Sequence, residues 1–207
     1  MPEQYVAHAR QWEALGWPVT DWTRPEIDKL PMSDATRAML ADLEHNGANS
    51  GGGLPEVGRW VQQADVYAYE LVRHLGGVYA NCDIEPLRDL GPVLDGLDGF
   101  VVAECSAFLS NALMGAVAEH PLFVDLSDSL PARFADMRWQ PMNVSTGPHH
   151  LTGRWRALSE PVPCLEPRPF FPVHFDDENR LSDEQRPRDG FFVDHRWGHR
   201  HAELVRS

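Results

Sequence analysis

The stretch that most constrains the fold is ELVRHLGGVYANCDIEPL, residues 70–87, in which a helix, a glycine pair and a strand follow one another. Apolar residues at helical spacing over 57–75 predict an amphipathic helix, and Gly76-Gly77 supplies its C-terminal stop. GVYA then predicts a very short strand, which ends at the Asn-Cys-Asp triplet 81–83. A strand that stops at amide and carboxylate side chains indicates a binding site, because such side chains are well suited to a ligand.

Helices and strands alternate along the rest of the chain, which favours an α/β domain. We predict helices over 3–15, 33–45, 120–138 and 146–155, the third interrupted or restarted at Pro131 and the last entered through a turn. We predict strands over 17–22 and 99–104, and a strand-like aromatic run over 191–201. Composition predicts a mobile surface loop at 46–53, little regular structure over 161–172 and a solvated loop over 176–189.

The charge of the chain limits the partners that it can bind. Its formal net charge is −13, so its average field repels phosphate polymers and acidic membrane surfaces. No run of lysine or arginine supplies a local basic patch, and we therefore predict no nucleic-acid binding. An anionic small ligand would need a metal ion or a nearby arginine to offset this field.

The cysteine pattern indicates a reducing compartment. Cys82, Cys105 and Cys164 are odd in number, far apart and in no CxxC pair, which argues against a disulfide framework or a structural zinc site. The N-terminal residues show no basic region followed by an apolar one, as a signal peptide would. No apolar stretch approaches the roughly 20 residues of a membrane span. We therefore expect a cytoplasmic protein without a transmembrane segment.

The triplet Asn81-Cys82-Asp83 is the strongest candidate for chemistry. If the segment is extended, Asn81 and Asp83 point to one side and Cys82 to the other, where it would be a small buried filler. Two oxygen-bearing side chains at the carboxyl end of a strand suit Mg²⁺ or Mn²⁺. Such a cation could hold a diphosphate and stabilise its charge as it departs. Short acidic turns are also common, so the triplet alone does not establish a metal site.

The longer run ADVYAYELVRHLGGVYANCDIEPL resembles the glycosyltransferases that carry a DXD sugar-binding motif. These are the GT-A relatives of the family 32 type, which include yeast-type α-mannosyltransferases and many capsular polysaccharide and phage sugar transferases. Three further stretches, LSNALMGAVAEHPLF, STGPHHLT and VDHRWGH, resemble later landmarks of the same family in the same order. The resemblance extends over about two-thirds of the chain.

The resemblance implies a single GT-A-like domain over 1–207, with a mixed sheet flanked by helices. It implies transfer of a sugar, with retention of configuration, from a UDP- or GDP-sugar to a glycan or other hydroxyl acceptor. It assigns catalytic roles to Asp83, Asp65 and Asn111. It assigns donor contacts to Asp65, Tyr69, Gly77, Tyr79, Asn81, His195 and Trp197. It assigns Asp83, Asn81 and His195 to a Mn²⁺ or Mg²⁺ cofactor.

Three positions depart from the family pattern. Asn81 stands where the first motif aspartate is expected, which lowers the charge available to a cation. Ala68 stands where an arginine is expected, so that donor contact is missing or comes from Arg73 or Arg59. The family's usual first strand, which helps to bind the nucleotide base, has no counterpart here. Either translation starts further upstream, or another segment replaces that strand, or the nucleotide site is incomplete.

Other interpretations of these residues stay open at this point. Asp65 could be an ordinary surface residue of its helix, and His149-His150 are expected to have capping or surface roles. His195, His199 and His201 could bind zinc, whereas Trp12, Trp17 and Trp22 are expected to pack in the core or at an interface. Two alternative functions follow. One is an inactive relative that binds a sugar, a glycan or a protein, and the other is a histidine-based metal hydrolase.

Overall fold

The computed structural model describes residues 3–46, 55–174 and 182–197. The helices are α1 Glu3–Ala14, α2 Arg24–Ile27, α3 Asp34–Asn46, α4 Pro55–Leu75, α5 Gly91–Leu94, α6 Pro121–Met137, α7 Met142–Ser145 and α8 Pro148–Ala157, with a 3₁₀ turn at Asp183–Gln185. The strands are β1 Gly77–Ala80, β2 Ile84–Pro86, β3 Gly99–Ala103, β4 Leu109–Ala116, β5 Cys164–Leu165 and β6 Val193–His195.

A four-stranded sheet lies at the centre, in the order β1-β4-β3-β5. β4 pairs antiparallel with β1 and with β3, whereas β5 pairs parallel with β3. Because side chains alternate along a strand, β3 serves both faces. Val101 packs with the apolar residues of α3, α4, α6 and α8. Phe100 and Val102 pack on the other face with Trp12 of α1. The predicted α/β fold, a mixed sheet flanked by helices, is confirmed.

An irregularity in β4 separates the two halves of its pairing with β3. Val101 lies opposite Met114, but Val102 lies opposite Ser110, so the residues between them bulge out of the ladder. Bulges redirect side chains and are frequent beside functional sites. Here the bulge carries Asn111.

A second, two-stranded ribbon joins two distant parts of the sequence. β2 pairs antiparallel with β6, with Ile84 opposite His195 and Glu85 opposite Asp194. Its inner residues Ile84 and Val193 are fully buried against the face of the main sheet that also packs on α1. The ribbon thereby places residues 193–197 beside the end of β1.

Most predicted elements are confirmed, and two predictions are wrong. Residues 17–22 form no strand, because Pro18 lacks a backbone donor and Trp17 is held by its indole N–H to Asp89 Oδ1 at 3.0 Å. Helix α6 is not interrupted at Pro131, since Leu130 and Phe134 on either side are buried in the core. The loop predicted at 46–53 lies outside the described residues except for Asn46.

Candidate functional site

The chain turns sharply where β1 ends. The Ile84 N–H donates to the Asn81 carbonyl at 2.9 Å, which closes a turn over 81–84. The extended geometry expected for Asn81 and Asp83 is therefore wrong, and these two side chains take different partners. Cys82 is exposed and not a buried filler, because the turn directs its side chain outward while its carbonyl lies 3.1 Å from His8 Nδ1.

Asp83 meets the C-terminal part of the chain. Its Oδ2 lies 3.3 Å from His195 Nε2, and its carbonyl accepts the Arg196 N–H at 2.9 Å. The rings of His195 and Trp197 are 3.8 Å apart between centroids. Trp197 is buried, adopts a left-handed φ of 49° and donates its indole N–H to the Val173 carbonyl at 3.2 Å. The structure thus brings together three of the predicted residues: Asp83, His195 and Trp197.

Asp65 forms a second cluster and is not a surface residue. Its carboxylate is buried on α4 and accepts hydrogen bonds from Asn111 Nδ2 and Thr146 Oγ1, each at 2.6 Å. Burial raises the pKa of Asp65 to about 7, and the hydrogen bonds from Thr146 and Asn111 oppose this shift. At neutral pH this carboxyl group therefore exchanges between its protonated and ionised forms.

Two tyrosines contact residues of the candidate site: Tyr69 bonds to Thr146, and Tyr79 bonds to Asn81. The Tyr69 hydroxyl donates to the Thr146 carbonyl at 3.0 Å, and the Tyr79 hydroxyl donates to Asn81 Oδ1 at 2.9 Å. Burial raises the pKa of Tyr79, and the negative charges of Asp65 and Asp83 raise it further. Tyr79 therefore lies within electrostatic reach of both carboxylates.

Gly77 is the predicted site residue that lies apart. It begins β1, whereas Asn81 follows the other end of that strand, so about 13 Å separates them at the usual rise per residue. Gly77 lines a cavity of about 580 Å³ between α1, residues 17–22, α4 and β1. Of the predicted site residues, the described lining of this cavity also includes Tyr79 and Asn81, but neither Asp65 nor Asp83.

The donor set near Asp83 is compatible with a divalent cation, although it is incomplete. Both ring nitrogens of His195 are buried and find no hydrogen-bond partner among the described residues, and one of them faces the Asp83 carboxylate. Asn81 Oδ1 accepts one hydrogen bond and keeps a second lone pair. Across the described ranges, no three His, Cys, Asp or Glu side chains are grouped to hold a metal ion. A cation here would need a third ligand beside Asp83 and His195, the role that the family resemblance assigns to Asn81.

The structure also bears on other expectations. Arg59 and Arg73, the two candidates to replace the arginine expected at Ala68, bond to the Glu44 carbonyl and to Asp128, respectively, and their contact with a donor stays a prediction. Ala68 is itself buried in the core. His150 does not have a surface role, since it is buried and its Nε2 lies 3.0 Å from the Leu126 carbonyl.

The remaining expectations concern tryptophans, histidines and one contact that was not predicted. Trp12 packs in the core as predicted, whereas Trp22 is partly exposed. His199 and His201 lie outside the described residues. Thr146 was not predicted to contact Asp65, although its Thr-Gly-Pro motif was recognised. The motif lies next to Asp65 in space: a Cβ on Gly147, the residue after Thr146, would lie 3.4 Å from Asp65 Oδ2.

Comparison with known proteins points to glycosyltransferases. None of the protein-family models matches the chain. It is 32% and 30% identical to two mannosyl phosphorylinositol ceramide synthases of Saccharomyces cerevisiae, each over 46% of its length. It is 31% identical to inositol phosphoceramide mannosyltransferase 3 of Schizosaccharomyces pombe over 47% of its length. The matches cover 25%, 26% and 28% of those three relatives, in the same order.

Among solved structures, the PaToxG glycosyltransferase is similar to this chain with a TM-score of 0.47 and 12% sequence identity. The similar region comprises 64% of this chain and 42% of the PaToxG chain. None of the helices in the described part of the chain is long and apolar enough to cross a membrane. The chain is thus similar in sequence to glycosyltransferases over nearly half its length, and it carries two clusters of predicted site residues.

Proposed function

We propose that this chain is a glycosyltransferase of the GT-A type. It moves a sugar from a nucleotide-sugar donor, a UDP- or GDP-sugar, to a hydroxyl group of a glycan or another acceptor. The observation that carries the proposal is the meeting of Asp83 with His195 at the end of β1. The similarity to proteins named as mannosyltransferases and mannosyl synthases supports the same reaction class.

Asp83, the Asn81 amide oxygen and His195 are the residues that would hold Mn²⁺ or Mg²⁺. When bound, the cation would supply positive charge that offsets the negative charge of a diphosphate. Trp197 packs its ring against that of His195, with the two planes tilted by 31°, and would help to hold the His195 ring in place. The hydroxyl of the half-buried Tyr79 orients the side-chain amide of Asn81 by donating to its Oδ1.

Asp65 and Asn111 would act on the donor sugar. A buried carboxylate fixed by two hydrogen bonds is pre-organised to accept hydrogen bonds from sugar hydroxyls. In the ionised form it also stabilises the positive charge that develops at the anomeric carbon when the bond to the leaving diphosphate breaks. We propose, as the family resemblance implies, that the anomeric configuration is retained. A retaining route mainly requires stabilised charge and correct positioning, which these contacts supply, and no strong base.

The first test is Mn²⁺-dependent release of nucleoside diphosphate from a panel of UDP-, GDP- and dTDP-sugars. We expect one donor to be turned over by the wild-type chain. Asp83→Ala should lower kcat by at least about a hundredfold, the loss typical of a group that stabilises transition-state charge. The matched control is Asp128→Ala, because Asp128 is an exposed aspartate that pairs with Arg73 far from Asp83.

Two outcomes would contradict the proposal. Equal turnover by wild type and Asp83→Ala would remove Asp83 from the reaction. No turnover of any donor, by this chain and by an N-terminally extended form, would favour a non-catalytic sugar-binding relative. The uncharged Asn81 beside Asp83 is the observation that favours this second function. The cytoplasmic location stays a prediction from the cysteine pattern.

A further inference from the structure

The ribbon that carries His195 contains an unfavourable pair of charges. Glu85 and Asp194 lie directly opposite each other across β2 and β6, and both side chains are buried. Like charges opposite each other destabilise a strand pair, and burial strengthens their repulsion. This register therefore requires cations on the same face of the ribbon.

Three arginines supply those cations. Arg186, itself 4% exposed, donates from Nε and Nη2 to the two carboxylate oxygens of Asp194, each at 2.5 Å. Arg188 and Arg196 donate to Glu85 at 2.5 and 2.7 Å. A two-pronged contact of this kind fixes orientation as well as distance.

Arg186 also reaches the backbone of the candidate site. Its Nη2 donates to the His195 carbonyl at 3.0 Å. The Arg186 guanidinium therefore holds both the side chain of Asp194, which precedes His195, and the carbonyl group of His195 itself. Since Asp194 and His195 point to opposite faces of β6, the ring of His195 is directed towards Asp83 from the far side of the ribbon.

We propose that Arg186 is a positioning residue, which holds His195 in register with Asp83 through its two-pronged contact with Asp194 and its bond to the His195 carbonyl. The proposal rests on the proposed function, because it assigns the role of His195 in binding the cation. We assign Arg186 no direct contact with the cation or the sugar. It acts through His195, as partners behind metal ligands do.

The test replaces Arg186 with lysine, which keeps the positive charge but cannot make the two-pronged contact with Asp194. The tryptophans are labelled with 5-fluorotryptophan, and the ¹⁹F resonance of Trp197 is assigned with Trp197→Phe. Because the ring of Trp197 packs against that of His195 at 3.8 Å between centroids, we expect Arg186→Lys to shift or broaden this resonance. Binding of Mn²⁺ alone, followed by electron paramagnetic resonance, should weaken roughly tenfold.

The matched control is Arg154→Lys. Arg154 contacts Asp125 through Nε and Nη2 at 2.5 Å each, as Arg186 contacts Asp194, but it lies on α8. This variant should leave the Trp197 resonance and Mn²⁺ binding unchanged. The double variant Arg186→Met/Asp194→Leu removes both charges, so that no unpaired charge stays buried. It should fold and show the same ¹⁹F change as Arg186→Lys.

The outcomes separate this proposal from the proposed function. An unchanged Trp197 resonance and unchanged Mn²⁺ affinity in a folded Arg186→Lys would overturn the positioning role. Failure of both Arg186 variants to fold would also overturn it, because Arg186 would then be purely structural. No turnover of any donor by the wild-type chain and by its N-terminally extended form, while Arg186→Lys still shifts the resonance and weakens Mn²⁺ binding, would refute the glycosyltransferase and keep the positioning role.

Discussion

Asp65 shows how a single residue can trade stability for chemistry. Its carboxyl group is buried and receives hydrogen bonds from Asn111 and Thr146, yet no arginine or lysine forms a salt bridge with it among the described residues. Two hydrogen bonds do not offset the loss of hydration of a charge. The pKa of Asp65 consequently rises to about 7. A carboxyl group with such a pKa can either accept or donate a proton at neutral pH.

This shift predicts how stability depends on pH. In the unfolded chain Asp65 ionises near pH 4, whereas in the folded chain it holds its proton until about pH 7. Between these values the folded state binds the extra proton, so the free energy of unfolding falls as pH rises. The total contribution is on the order of 4 kcal/mol. Asp65→Asn should abolish this slope, and the variant should be more stable than wild type at pH 8.

Urea unfolding at pH 5 and pH 8 measures how the free energy of unfolding changes with pH in wild type and in Asp65→Asn. Donor turnover is followed in parallel. We expect Asp65→Asn to lose activity while it gains stability at pH 8, a combination typical of functional sites. Asp128→Asn, on an exposed carboxylate, is the control and should follow the wild-type slope. If wild type and Asp65→Asn lose the same stability between the two pH values, the raised pKa is refuted.

At the scale of elements, the passage from α4 to β1 depends on two glycines with different tasks. Both have positive φ, 68° at Gly76 and 93° at Gly77. A Cβ on Gly76 would lie 2.7 Å from the Ala118 amide nitrogen, whereas a Cβ on Gly77 would meet nothing within 4 Å. Gly76 is therefore needed for both conformation and close packing, and Gly77 for conformation alone.

Alanine substitutions at these neighbours should separate the two effects. Gly77→Ala should cost about 1–2 kcal/mol in free energy of unfolding through backbone strain alone. Gly76→Ala should cost roughly 2 kcal/mol more, because backbone atoms must shift to admit the methyl group. Urea denaturation measures both, and equal costs would contradict the close approach. Retained donor turnover in Gly77→Ala would count against the predicted donor contact of Gly77.

At the scale of the whole molecule, local sequence patterns predicted the helices and strands better than the tertiary contacts between them. Helix α4 and strand β1 could be predicted because apolar spacing and Gly76-Gly77 are local signals. The bulge that carries Asn111 could not, since it depends on the register between β3 and β4. The contact of Asp83 with His195 also depends on the pairing of β2 with β6, and only the family resemblance indicated both residues.

The net charge of −13 leads to a prediction for the molecule as a whole. An anionic donor approaches against a repulsive field, and salt reduces the range of that field from about 30 Å at 0.01 M to about 8 Å at 0.15 M. We therefore expect kcat/KM for the donor to rise roughly two- to threefold over this range, measured at saturating Mn²⁺. Sodium chloride and potassium acetate should act alike, because the effect depends on ionic strength. A decrease of kcat/KM with salt would instead mean that positive charge near the site outweighs the average field of the chain and attracts the donor.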